Sequence, residues 1–207
     1  MNVLVIAPHP DDETIGCGGS LCLHAQNGDR VTAVFLTSGE LGLKKLPRAE
    51  AWRIRESEAR AAGKILGLAE LSFLRQPDWM LGDQIAAAAA ALRPILKREM
   101  PALIYLPHPA DGHPDHQATW PVLRLGLKRS GFATPKLRAY EVWTPLAQFD
   151  GVQDISAVMS RKLRALRAHR SQLNDFDYER ALRGLNKYRG ALAIKSRYAE
   201  VFQNLYI

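Results

Sequence analysis

The sequence predicts an α/β fold: a mostly parallel sheet with helices on both faces, in a three-layer sandwich. Three observations lead there. Short continuous apolar runs, read as buried strands, alternate with longer helix-forming stretches through most of the 207 residues. The composition, 47% apolar and 24% charged, is that of an ordinary globular chain. The length suits one core and no Pro/Ser/Gly-rich linker divides the chain, so residues 1–207 are expected to form a single domain.

Residues 2–7 (NVLVIA) read as the first strand, and residues 15–27 as the helix that follows, closed by Gly28. Residues 30–37 (RVTAVFLT) are apolar and β-branched, a second buried strand. Residues 48–67 read as a long helix rich in Ala, Arg and Glu, ended by Gly67, and residues 70–74 as a weaker third strand. Asp83 is placed to cap a helix over 84–99, and Pro94 within it predicts a kink or an early stop. Residues 102–106 (ALIYL) form a fourth strand, stopped by Pro107. A helix over 116–129 and a strand over 137–143 come next, then helices over 157–169 and 178–195. Residues 198–207 suit either state.

Several classes are excluded early. No apolar run approaches the roughly 20 residues that span a bilayer, so no integral membrane segment is expected. The N-terminus lacks the basic leader and small-residue cleavage site of a secretory signal. Cys17 and Cys22 are too few for a disulfide framework, which makes a reducing cytoplasm the expected location. The net charge of +7 is uneven. Residues 1–155 hold 17 basic and 17 acidic side chains, whereas residues 156–207 hold 11 and 4. This basic, mainly helical C-terminal part reads most simply as solvated helix faces. Its second reading is a surface for an anionic substrate, and without an aromatic-rich RNA signature no nucleic-acid partner is expected.

The chemistry concentrates in two loops. The first is Ala7-Pro8-His9-Pro10-Asp11-Asp12-Glu13, directly after the first strand. The second is His108-Pro109-Ala110-Asp111-Gly112-His113-Pro114-Asp115-His116, directly after the fourth. Four of the six histidines lie in these loops. A lone histidine is ordinarily a surface or hydrogen-bonded side chain, but carboxylates crowded at one strand end repel each other and a cation is the natural remedy. Imidazole and carboxylate without cysteine suit Zn²⁺ or Fe²⁺. The loops meet if the strand order is 3-2-1-4-5, because the first and fourth strands then flank the crevice where ligands bind in open α/β sheets. Gly16-Cys17-Gly18-Gly19 resembles a phosphate-cradling turn, but the spacing is not GxGxxG and the neighbouring carboxylates would repel a pyrophosphate. These glycines read instead as room for close helix–sheet packing.

The chain resembles the PIG-L/LmbE-like deacetylases, which include N-acetylglucosaminyl-phosphatidylinositol deacetylase and the deacetylases of mycothiol and bacillithiol synthesis. His9-Pro10-Asp11-Asp12-Glu13 and His113-Pro114-Asp115-His116 carry the resemblance. Thr37-Ser38-Gly39-Glu40, Arg55-Glu56-Ser57-Glu58, Pro77-Asp78, His169-Arg170-Ser171-Gln172 and Tyr198-Ala199-Glu200-Val201-Phe202 extend it over nearly the whole chain. The resemblance implies a Rossmann-like fold and one zinc held by His9, Asp12 and His116. Asp11 would be the general base, His113 an imidazolium that stabilises the oxyanion, and Asp115 the carboxylate that tunes His113. Arg55 and Asp78 fall where the family binds sugar hydroxyls, and Asp111 stands where some relatives carry tyrosine.

The implied reaction is hydrolysis of the N-acetyl group of an N-acetylglucosamine-type amino sugar or its conjugate; that the basic C-terminal part holds a phosphate or acidic group of the substrate is a second hypothesis, drawn from the charge alone. The alternatives are an amidase of the same fold that cleaves a larger acyl group and a non-catalytic glycan-binding relative.

Overall fold

The computed structural model describes residues 1–128, 134–173 and 176–207. Val3 to Ala7 are all buried, and they form the central strand β1 (Asn2–Ala7). Its side chains alternate between two cores. Val3, Val5 and Ala7 face one, and Leu4 and Ile6 the other, as the two-residue period of a strand covered on both faces requires. β2 (Arg30–Thr37) and β4 (Leu103–Pro107) lie parallel on either side of β1. β3 (Glu70–Gln76) and β5 (Lys136–Tyr140) continue the parallel pairing outward. The expected order 3-2-1-4-5 is thus present. Beyond β5 the sheet adds β7 (Ala199–Leu205) and β6 (Gly151–Asp154), both through antiparallel pairs, for an order of β3-β2-β1-β4-β5-β7-β6.

Helices α1 (Asp12–Gln26), α2 (Arg48–Leu66) and α5 (Met159–Leu166) contribute Leu21, Leu66 and Leu163 to the first core. Helices α3 (Ile85–Glu99) and α4 (Pro114–Leu127) contribute Leu92 and Val122 to the second. The helices after β1 and β4 therefore go to opposite faces, which opens the crevice between the two strand ends. α6 (Tyr178–Arg189) precedes a single π-type turn over Gly190–Ile194. Among the described residues no helix is long and apolar enough to cross a membrane.

Several local expectations are corrected. Pro94 does not stop α3; Ala90, whose carbonyl the proline frees, is exposed, so water can serve that carbonyl. Asp83 does not cap α3. It lies in a 3₁₀ turn over Leu81–Gln84, and the cap position belongs to Gln84. α4 starts at Pro114 rather than His116, with proline in the first turn, where its missing N–H costs nothing. The expected end of that helix at Arg129 falls outside the described residues. The last two helices are shorter than expected, and residues 199–205 are strand. β6 (GVQD) has no strand signature and is held by its pairing with β7.

The glycines of α1 provide room for packing, as expected. A Cβ on Gly16 would lie 2.1 Å from the Tyr140 ring, and one on Gly19 2.6 Å from Ile155. The same segment breaks the helix at Cys17, whose φ/ψ of −139/15 is non-helical. The freed N–H groups of Gly19 and Ser20 donate to Glu200 of β7, each at 2.8 Å.

Candidate active site

Both chemical loops leave the C-terminal edge of the sheet side by side, after β1 and after β4, 100 residues apart in sequence and adjacent in space. There His9, Asp12 and His116 converge. Asp12 Oδ2 lies 3.2 Å from His9 Nδ1 and 3.2 Å from His116 Nε2, and the two nitrogens are 3.4 Å apart. All three side chains are buried. Burial disfavours the charged forms, yet the Asp12 carboxyl is held far below the usual range by the two imidazoles. His116 is lifted to about 9 against its burial, chiefly by the charge of Asp12.

Each imidazole has a carboxylate at its other nitrogen. His9 Nε2 is 3.1 Å from Asp115 Oδ2 and 3.1 Å from Asp78 Oδ1. His116 Nδ1 is 3.0 Å from Asp111 Oδ1. Carboxylate–histidine pairs of this kind fix the tautomer and ring direction of metal-ligating histidines. The carboxylates are themselves anchored. Asp115 accepts the N–H groups of Trp79 and Leu81, Asp78 that of Leu41, and Asp111 those of His113, Trp143 and Thr144.

Two expectations change here. The Asp115 carboxylate acts on His113 through its charge alone, which works to raise the His113 pKa, while its contact is to His9; only the Asp115 backbone N–H meets His113, at Nδ1 and 3.2 Å. That contact follows from His113 capping α4. It also makes Nδ1 an acceptor, so His113 is a neutral imidazole with its proton on Nε2 rather than an imidazolium. Burial, reinforced by the neighbouring His9 and His116, pushes its pKa down to about 4.

Asp11 stands next to this cluster with a φ of 132°, a region that non-glycine residues rarely adopt. Its N–H donates to the buried Glu13 and its carboxylate lies 3.3 Å from Arg55. Burial raises the Asp11 carboxyl to about 6, with Arg55 pulling the other way. Arg55 is itself buried and also donates to the carbonyls of Pro10 and Gly39.

His9, Asp11, Asp12, Arg55, Asp78 and His113 all line one cavity of about 1040 Å³. Asp115 and His116 stand behind it. His108 also turns away, with Nε2 2.7 Å from the Thr144 carbonyl. Asp111 is the functional residue that the sequence reading missed. Its signal was a second carboxylate, beside Asp115, in a loop already holding three imidazoles. The basic C-terminal part supplies no cation to the cavity among the described residues; those present are Lys44, Lys45 and Arg55. Lys162, Arg167 and Arg189 pair instead with Glu200, Glu179 and Glu141.

The family profile for GlcNAc-PI de-N-acetylase matches residues 4–124, which span both loops. The chain belongs to the PIG-L family. A probable N-acetyl-alpha-D-glucosaminyl L-malate deacetylase 2 of Bacillus cereus is 32% identical over 183 residues, covering 83% of this chain and 83% of that protein. Diacetylchitobiose deacetylase of Thermococcus kodakarensis is 30% identical over 220 residues, covering 96% of this chain and 80% of that protein. The solved N,N'-diacetylchitobiose deacetylase of Pyrococcus horikoshii superposes with a TM-score of 0.86 at 28% identity, covering 98% of this chain and 83% of that one. Family membership makes the chain a deacetylase, a hydrolase of N-acetyl amides.

Proposed function

We propose that the protein is a zinc-dependent hydrolase that removes the N-acetyl group from an N-acetylglucosamine-type amino sugar or its conjugate, giving acetate and a free amine. The observation that carries this reading is the triangle of His9 Nδ1, Asp12 Oδ2 and His116 Nε2, with the separate carboxylate of Asp11 beside it. Bonds of about 2.0–2.2 Å to a tetrahedral ion imply ligand separations of roughly 3.3–3.6 Å, close to the observed edges. Two imidazoles and a carboxylate are a common donor set for catalytic zinc, and one that Fe²⁺ also accepts. Two other donor sets adjoin it: His9/His113/His116, and His9/Asp78/Asp115 on the Nε2 side of the His9 ring. They suit an ion less well, because His113 Nδ1 and both oxygens of Asp115 already accept backbone N–H groups.

When bound, the ion polarises the amide carbonyl and acidifies the attacking water. Asp11 takes the water proton, held in place by Arg55 and by the contact of its own N–H with Glu13. The same proton then passes from Asp11 to the leaving nitrogen. His113 donates its Nε2–H to the developing oxyanion. Asp115 and Asp78 act through His9, and Asp111 through His116. Arg55 and Asp78, at the cavity wall, are also the residues we assign to the sugar hydroxyls. We assign the protein to the cytoplasm, which suits the free thiols of Cys17 and Cys22.

The test is purification, measurement of bound metal, and a screen of N-acetylated amino sugars for acetate release. Asp11→Asn is expected to bind zinc like the parent and to lose turnover. Near-full activity in that variant refutes the base assignment. No turnover of any N-acetyl amino sugar after zinc addition refutes the function.

A further inference from the structure

Between β3 and the 3₁₀ turn at Leu81 the chain makes a tight turn over Pro77–Met80, closed by the Met80 N–H, which donates to the Pro77 carbonyl at 3.3 Å. Its third residue, Trp79, has a φ of 66°. Turns with a positive φ at that position ordinarily take Gly or Asn, because a Cβ is strained there. Apart from Asp11, the other non-glycine residues with positive φ have local reasons for it. Met100 and Lys195 close helical turns, and Arg75 sits where the β2–β3 register shifts. Trp79 has neither reason. Burial does not account for it either, since the residue is 56% exposed.

What the indole does touch is His113. The two ring centroids are 4.5 Å apart, with the planes tilted by 55°. His113 is half-buried, lines the cavity and carries the N–H assigned above to the oxyanion. Its Nδ1 accepts the Asp115 N–H, which fixes one atom of the ring but not the tilt about that atom. The ring also meets His9 and His116, at 4.6 and 4.9 Å, and both belong to the metal triangle. Trp79 is the ring contact that lies outside the triangle. Its own N–H donates to Asp115 Oδ2 at 2.8 Å, so Trp79, Asp115 and His113 form a closed circuit of contacts.

We propose that Trp79 is a positioning residue: its indole holds the tilt of the His113 ring so that Nε2–H points at the developing oxyanion, and the chain keeps a strained turn to place it there. This rests on the deacetylase reading above, in which His113 is the donor. Strain at a reaction centre is stability given up for geometry. A reacting group misplaced by about 1 Å loses on the order of 10²-fold in rate.

Three variants separate ring from backbone. Trp79→Gly removes the strain and the ring together. Trp79→Asn removes the ring in a residue that accepts positive φ, and Trp79→Phe keeps a ring. Zinc-loaded protein is assayed on N-acetylglucosamine and N,N'-diacetylchitobiose. Trp79→Gly and Trp79→Asn are expected to lower kcat by about tenfold to a hundredfold, with KM within about threefold of the parent. The melting temperature of Trp79→Gly should equal or exceed the parent's, and Trp79→Phe should restore most of kcat. A KM that rises at constant kcat makes Trp79 a substrate contact and overturns the proposal. So does a lowered melting temperature in Trp79→Gly, or a Trp79→Phe that rescues nothing. Carbon-13 relaxation of the His113 ring, assigned with His113→Asn, reads its order independently of turnover. The ring is expected to be rigid in the parent and mobile in Trp79→Gly; equal mobility overturns the proposal. A parent that releases no acetate yet shows this difference loses the deacetylase reading and keeps Trp79 as the residue that orders His113.

Discussion

The buried pair of Lys162 and Glu200 makes an unequal prediction for its two halves. Lys162 on α5 is 0% exposed, and its Nζ donates to Glu200 Oε1 at 2.6 Å and to Asn186 Oδ1 at 3.0 Å. Glu200 is 1% exposed and accepts three further donors: the N–H groups of Gly19 and Ser20 at 2.8 Å and the Ser20 hydroxyl at 2.6 Å. Those N–H groups open the second half of α1, so the carboxylate also faces the positive end of a helix. Glu200→Ala leaves the ammonium with Asn186 alone and strands two buried N–H groups. Breaking a buried pair from one side costs about 3–5 kcal/mol, and each stranded donor adds about 1–3. The expected loss is about 5 kcal/mol or more, comparable to the whole stability of a marginal domain. Lys162→Met leaves the carboxylate with three of its four donors and the helix end, worth up to about 2 kcal/mol in buried geometry, so its loss falls near about 3. Reversible urea unfolding measures both. Equal losses, or a larger one for Lys162→Met, would refute the view that the helix terminus is what the carboxylate chiefly serves.

Three further outcomes are expected. His113→Ala should lower kcat by on the order of 10²–10³ and stability by about 1 kcal/mol, since it removes both an oxyanion donor and a helix cap; His113→Asn should restore the stability but not the rate, as steady-state kinetics and melting together would read. Burial raises the Cys17 thiol far above its usual range and Cys22 to about 11, so the native protein should consume no thiol reagent at neutral pH, whereas urea-unfolded protein should titrate both. Burial works against the Glu56 charge, but hydrogen bonds from Arg75 and Ser38 hold its carboxyl below the usual glutamate value. Its stabilising contribution is therefore present above the unfolded-state value of about 4.3 and lost as pH falls through that value toward the folded one. Glu56→Gln should flatten the acid limb of stability against pH in urea titrations run down to about pH 3.

The core of the fold was legible because apolar runs such as NVLVIA and RVTAVFLT have one reading in a chain of this length. The chemistry was legible because four imidazoles sat at two strand ends. What escaped were features that sequence neighbours do not determine. β6 exists only because β7 lies beside it. Cys17 breaks α1 only because Glu200, 180 residues beyond Ser20, accepts the freed N–H groups. The carboxylate of Asp115 turns to His9 although His113 is nearer in sequence, since the Trp79 and Leu81 N–H groups fix its direction.

The same logic links the reaction centre to the walls of its cavity. Asp115 joins the His9 ring to the backbone at Trp79, and Asp111 joins the His116 ring to the backbone at Trp143. Each carboxylate thus holds one imidazole and one aromatic wall. Moving Trp79 or Trp143 therefore pulls on the carboxylate that aims a histidine of the His9–Asp12–His116 triangle. The two aromatic walls and the imidazole geometry share two buried aspartates, Asp111 and Asp115, that line no part of the cavity themselves. Substitutions at either position should disturb both properties at once, whereas a side-chain truncation at Trp143 leaves the backbone N–H, and with it the hold of Asp111 on His116, in place.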